Sequence, residues 1–298
     1  SIYRWWVMNG TGEAWLRNGA MPQVYSAEGP LEGLKDAEVI VDTGSRILPQ
    51  RTIDLLVDYV AGGGRLILMS TTGEYTADQP EKRFQLLTRL GYPEIDELTP
   101  RTHAPATVVF TKRQPLSRIG IRHGNEAQAP RFGHHTTTLP IQFYSPLTVP
   151  DGGEVLGRIA DQPAVVSWSH GDGQVILLAG EPGSILEATV HELMMSDDPD
   201  RRSKAWPIWR NAQLEQGHLW NRLWKDTLES SELQPVVEVH HPMFMSAMRR
   251  RGTTYHVYLF NHADQPISPV IRLPGLEHPS STLHVEWHSL TEQRALEP

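Results

Sequence analysis

Residues 38–42 read Glu38-Val39-Ile40-Val41-Asp42, a short apolar run bounded by charge. Leu48-Pro49 follows, then Ile53, Leu56, Val57 and Val60 at helical spacing, then Gly62-Gly63-Gly64 and a second apolar run, Arg65-Leu66-Ile67-Leu68-Met69. The order is strand, helix, glycine stop, strand. Pro49 suits a first helical turn, because its fixed φ is already helical and its missing N–H is not needed there. The three glycines suit a C-terminal cap and a sharp return. A crossover of this kind joins two parallel neighbouring strands. Upstream, Tyr3 to Met8 reads as a strand, Gly12 to Asn18 as a short helix and Gln23 to Ser26 as another strand, the alternation expected of a doubly wound, mostly parallel α/β sheet of the flavodoxin-like kind.

Downstream, Pro80 to Leu90 carries Phe84, Leu87 and Leu90 on one helical face. From there to about residue 150, proline and glycine are frequent and periodicity is lost, so 92–150 reads as a loop-rich insertion with short strands such as Thr107 to Thr111. Order returns at Gly153 to Gly157, Pro163 to Trp168 and Gln174 to Gly180. The turn His170-Gly171-Asp172-Gly173 makes the last two a hairpin. Residues 203–229 read as an interrupted helix bearing Trp206, Trp209, Trp220 and Trp224. Past Pro235 the pattern changes to period two, over Val236 to His240, Thr253 to Asn261, Val270 to Leu273 and Leu283 to Trp287, which indicates a small antiparallel β-sandwich. The expected division is an α/β domain over 1–231 and the sandwich over 232–298.

Length and composition bound the function. The 298 residues are 39% hydrophobic and 21% charged, ordinary values for a folded protein of about two domains. The 27 basic and 35 acidic side chains give a formal net charge of −8, which repels a phosphate backbone and argues against nucleic acid and an anionic membrane surface as partners. No apolar stretch approaches the roughly 20 residues needed to span a bilayer. The absence of cysteine removes disulfides, thiolate metal sites and cysteine nucleophiles, but leaves the compartment open. The first residues do not read as a signal peptide, and the numbering is expected to begin inside a longer protein.

The run VIVDTGSRILPQRTIDLLVDYVAGGGRLILMSTTG with GEVLGRIADQPAVVSWSHGDGQVILLAGEP resembles the class I glutamine-amidotransferase-like domain found as an accessory domain in carbohydrate-active enzymes, among them the trimerisation domain of family 42 β-galactosidases. The segment TTYHVYLFNHADQPISPVIRLPG resembles the small β-sandwich that often follows it in glycoside hydrolases. The resemblance implies partners in the form of a second copy or an upstream catalytic domain, and no cofactor. Working amidotransferases of this family carry a cysteine on the turn after the strand matching Leu66 to Met69, activated by a histidine and a glutamate near the last strand. Here the turn is Ser70-Thr71-Thr72-Gly73, with Thr71 nearest the nucleophile position, and the late segment is Gly180-Glu181-Pro182 without histidine. The amidotransferase machinery is absent.

Other constellations have plain alternatives. Asp42 and Glu181 follow predicted parallel strands and would sit at the carboxyl edge of the sheet, where such folds bind ligands; the competing account is turn hydrogen bonding. Glu74, Glu154 and Glu192 complete the carboxylates considered for glycosidic cleavage, in a chain rich enough in acid to supply such a set by chance. His284, Glu286 and His288 share one face of a predicted strand and could hold zinc, but the same alternation puts Leu283, Val285 and Trp287 in a core and these three in water. His191-Glu192 fails as HExxH because Met195 stands where the second histidine belongs. The four tryptophans of 203–229 suit burial against the domain or a partner, or stacking on a carbohydrate. Arg249-Arg250-Arg251-Gly252 reads as a solvated hairpin loop. The function that follows is a non-catalytic accessory or oligomerisation part of a carbohydrate-active enzyme, with an independent hydrolase and a carbohydrate-binding protein as alternatives.

Overall fold

A computed structural model of the chain describes residues 23–93, 95, 106–110, 138–142, 144–182, 196–203, 238–239, 244–251, 254–261 and 271–272. The opening strand–helix–strand unit stands as read. β1 (Val39–Val41) leads through the two-residue β2 (Ile47–Leu48) to α1 (Gln50–Ala61), and β3 (Arg65–Met69) lies parallel to β1, with Ile40 opposite Leu66. Pro49 sits at the N-cap in extended conformation. At the other end Gly63 takes φ +104°, which places it one residue past the cap. Its N–H bonds to the carbonyl of Val60 and that of Gly64 to the carbonyl of Tyr59, the two bonds of a Schellman motif. A Cβ on Gly64 would stand 2.3 Å from the Tyr59 ring, so the return is shaped around that tyrosine. The Tyr59 hydroxyl in turn donates to the Arg65 carbonyl and accepts from the Arg65 N–H.

The hairpin β9 (Gln162–His170) and β10 (Gly173–Leu178) has a two-residue loop with Gly171 at φ +59° in its first position, as a type II′ turn requires. β10 runs parallel to β3 on the side away from β1. β8 (Glu154–Ile159) pairs antiparallel with β9, and β6 (Ala106–Phe110), β7 (Thr138–Gln142) and the two-residue β11 (Glu181–Pro182) extend the sheet in the order β1-β3-β10-β9-β8-β6-β7-β11. Among the described residues this sheet is mixed rather than mostly parallel. Only the two pairs made by β3 are parallel, while the five from β10 outward are antiparallel. The reason is local: two-residue turns join β8 to β9 and β9 to β10, and such turns can only reverse the chain.

Three further expectations are corrected. Gln23 to Ser26 is not a strand. The helix expected over Pro80 to Leu90 is shortened to α2 (Gln85–Arg89), because Gln79–Arg83 forms β5, which pairs with β4 (Tyr75–Thr76) in a three-stranded sheet β2-β4-β5. Phe84, Leu87 and Leu90 are nonetheless buried, with Phe84 held at φ 53° between strand and helix. The basic run is no loop: Arg249 to Arg251 end the strand β13 (Phe244–Arg251), which pairs along its length with β14 (Thr254–Asn261). β12 (Glu238–Val239) pairs with β15 (Ile271–Arg272), so the described C-terminal strands are antiparallel pairs. The tryptophans of 203–229 and the trio His284, Glu286 and His288 lie outside the described residues.

The core lies between α1 and the sheet. Ile53, Leu56, Tyr59 and Val60 from the helix meet Leu66 to Met69, Val165, Val166 and Val175 to Leu178, closed at one end by Leu86, Leu87 and Leu90. β3 is buried on both faces, the condition of a central strand with parallel neighbours on either side. Trp168 donates its indole N–H to the Leu90 carbonyl at 2.7 Å and packs 5.7 Å from the Tyr92 ring, tying β9 to the end of α2.

Candidate functional site

The carboxyl edge of β1 and β3 is where this architecture places a ligand, and here many of its polar groups are bonded to its own loops. Asp42 follows β1 directly. Its Oδ1 accepts from the N–H groups of Gly44 at 2.8 Å and Ser45 at 2.7 Å and from the Thr72 hydroxyl at 2.6 Å. That is turn hydrogen bonding, with the Thr72 hydroxyl also accepting from the Met69 N–H. Ser70 donates its hydroxyl to the Ala179 carbonyl at 2.6 Å and its N–H to the Leu178 carbonyl, joining the end of β3 to the end of β10. Thr71 is fully buried.

The bonding continues along the chain. Gly73, Tyr75 and Ala77 donate their N–H groups to the carbonyls of Ser45, Arg46 and Leu48, so the segment after β3 is laid parallel to the segment after β1. Gly73 takes φ +65°, and a Cβ there would touch Leu48 and Leu86 at 3.4 Å. Glu181 lies in β11, opposite Gln142 of β7. The structure joins Asp42 to Thr72 and the loop at Gly44 and Ser45.

Beyond this edge stands a charged group of which only Glu74 stands out in the sequence reading. Glu74 is buried, and its carboxylate is held by Arg46, whose Nε lies 2.7 Å and Nη2 2.6 Å from Oε2, and by Arg83, whose Nη2 lies 2.8 Å from Oε1. The Arg83 guanidinium rests 5.2 Å from the Tyr75 ring centre and 5.6 Å from that of Phe84, and that of Arg46 rests 6.0 Å from Tyr75. Arg46 precedes β2, Glu74 precedes β4 and Arg83 ends β5, and the three charges fasten that small sheet together. Only the strand pairing makes them neighbours, and no motif announces it.

A cleft of about 490 Å³ opens at the opposite, amino edge, lined by Lys35, Glu38, Leu55, Asp58, Tyr59 and Gly63 among others. Burial raises the Tyr59 hydroxyl above its ordinary pKa of 10.0, and its two bonds are spent on Arg65 backbone. Among the described residues no three histidines or carboxylates are grouped to hold a metal ion, and no helix is long and apolar enough to cross a membrane.

These observations define a mixed α/β domain whose carboxyl edge, among the described residues, is laced by its own hydrogen bonds, followed in the chain by antiparallel strand pairs. No protein-family model and no curated protein matches the chain. Solved structures do. The fold is similar to that of a β-galactosidase from Bacillus circulans sp. alkalophilus, at 15% identity and a TM-score of 0.55, over 86% of this chain and 32% of that one. It is similar to Gan42B, a GH42 β-galactosidase from G. stearothermophilus, at 15% identity and a TM-score of 0.54, over 96% of this chain and 33% of that one. A third is the cold-adapted β-galactosidase from Rahnella sp. R3, at 16% identity and a TM-score of 0.51, over 84% and 30%. At such identities the likeness is one of fold. The chain spans about a third of the length of each neighbour.

Proposed function

We propose that this chain is a non-catalytic accessory part of a glycoside-hydrolase-related protein, acting through its surface on a second copy or on a catalytic domain. The observation that carries the reading is the burial of every hydroxyl on the turn after β3. A nucleophile must reach its substrate, yet Thr71 and Thr72 have no surface in solvent, and Ser70 is buried with its hydroxyl bonded to the Ala179 carbonyl. The fold shared with parts of family 42 β-galactosidases supports the same role. The amidotransferase-like α/β domain, the terminal sandwich and docking through Trp206, Trp209, Trp220 and Trp224 belong to this proposal.

The test is to assay the purified chain for hydrolysis of p-nitrophenyl β-D-galactopyranoside and for ammonia release from glutamine, with light scattering in parallel. Neither activity is expected, and a homo-oligomer, or binding to a separately expressed catalytic domain, is. Turnover abolished by Asp42→Asn, Thr71→Ala or Glu181→Gln would overturn the proposal in favour of an independent hydrolase.

A further inference from the structure

We propose that Arg46 and Arg83 form a binding site for the carboxylate of a small organic acid, on the guanidinium edges turned away from Glu74. Each guanidinium carries five N–H donors, ten for the pair, and the contacts to Glu74 engage no more than three of them. The two side chains keep 44% and 40% of their surface in solvent, whereas Glu74 keeps 4%. The buried carboxylate thus works as an anchor, and the ring of Tyr75 as a wall against which both cations rest. Two arginines against one glutamate leave an excess positive charge on a chain whose formal net charge is −8. Glu81 and Lys82, the adjoining charges on β5, are exposed and form no ion pair with the cluster.

Two more features gather in the same short segment. Phe84, bulky and buried, is held in the left-handed region at φ 53° directly after Arg83, a conformation that is strained for a residue with a Cβ. Gln85 follows at once, and its side-chain Nε2 is a buried amide donor with no partner among the described residues. That nitrogen is enclosed by the protein and takes no part in the site. The half-exposed guanidiniums, pinned by one buried carboxylate, offer the paired N–H donors that arginine presents to a planar carboxylate.

Titration of uniformly 15N-labelled protein with D-glucuronate tests this, read on the Nε–Hε resonances of Arg46 and Arg83, with D-glucose as the neutral control and sulfate as the tetrahedral anion. Saturable movement of both resonances with glucuronate and none with glucose is expected. Arg83→Lys keeps the charge but loses the fork, and should weaken binding about tenfold; Arg46→Gln should weaken it at least as much. Each variant's amide spectrum reports whether it is folded. Absence of saturation in the wild-type protein overturns the proposal whatever the variants do. So does equal affinity for sulfate, or binding unchanged in folded variants.

Discussion

Replacing Gly173 by alanine tests the central packing of the fold. Gly173 opens β10 where the hairpin presses on the end of α1. A Cβ built there would lie 2.1 Å from the Val60 carbonyl oxygen and 2.3 Å from that of Gly64. Both are backbone atoms, the Val60 carbonyl accepting a Schellman bond and the Gly64 carbonyl accepting from the Gln174 N–H, so no side chain can swing aside. Its φ is not in the left-handed range, and the penalty is therefore one of contact alone. The hairpin must back away from the helix, which threatens the bonds from Asp172 N–H to the Ala61 carbonyl and from Gln174 N–H to the Gly64 carbonyl. Each such bond contributes about 0.5–1.5 kcal/mol. Overpacking adds about 1–3 kcal/mol. Alanine returns about 0.4–1 kcal/mol by stiffening the unfolded chain. The expected loss is about 2–4 kcal/mol, a large part of the stability of an ordinary domain.

Equilibrium unfolding in urea, followed by tryptophan emission, measures the change as a lower midpoint at unchanged slope. Gly152→Ala is the control. Its φ is +69°, but nothing lies within 4 Å of the added carbon, so it should lose only about 1–2 kcal/mol of left-handed strain. If Gly173→Ala is no less stable than Gly152→Ala, the hairpin does not sit on the helix end as described.

Other outcomes follow from single contacts. Ala160, at φ 50° in the turn from β8 to β9, should gain about 0.5–1 kcal/mol as Ala160→Gly, the relieved strain exceeding the added chain entropy, seen as a higher urea midpoint. Glu74→Gln should cost about 2–4 kcal/mol by leaving two guanidiniums against a neutral amide, and a change under 0.5 kcal/mol would refute the anchoring role. Burial raises the Tyr59 and Tyr92 hydroxyls above the ordinary 10.0, so the folded state keeps protons that the unfolded state releases. Their contribution is full below pH 10 and is lost as pH rises through the folded values; Tyr92→Phe should flatten that alkaline decline in a denaturation series, while giving up the bond from the Thr148 N–H.

How much of this was legible in the sequence depends on how far apart the interacting residues lie. The unit from Val39 to Met69 was readable because its signals are local: an apolar run, a helical repeat, three glycines, another run. The hairpin at Gly171 was readable for the same reason. The full extent of the antiparallel side was not, since the turns at Ala160 and Gly171 reverse the chain locally but the addition of β6 and β7 beyond β8 is set by long-range pairing. The shortened α2 was missed because Phe84, Leu87 and Leu90 fit a helical face, while the pairing of Gln79–Arg83 with β4 overrides that preference. Arg249 to Arg251 looked like a loop for their charge, yet β14 supplies every one of them with a partner residue. For the site, Asp42 was found at the right edge, but its bonds to Gly44, Ser45 and Thr72 depend on the loop after β3 folding back by 30 positions.

The same long-range contacts occupy the polar groups of the edge where such folds bind ligands. Strand ends in a parallel sheet expose unpaired N–H and C=O groups on one side, and that polarity is what a ligand usually exploits. In this chain the Ser70 hydroxyl takes the Ala179 carbonyl, Asp42 takes two N–H groups and a hydroxyl, and Gly73, Tyr75 and Ala77 pair off with the segment from Ser45 to Leu48. Freeing the Ser70 hydroxyl for a substrate would first leave the buried Ala179 carbonyl with a bond lost, at about 1–3 kcal/mol. Ligand chemistry is thereby displaced outward to half-exposed side chains that keep donors in reserve, and Arg46 and Arg83 on the small sheet are the pair so placed.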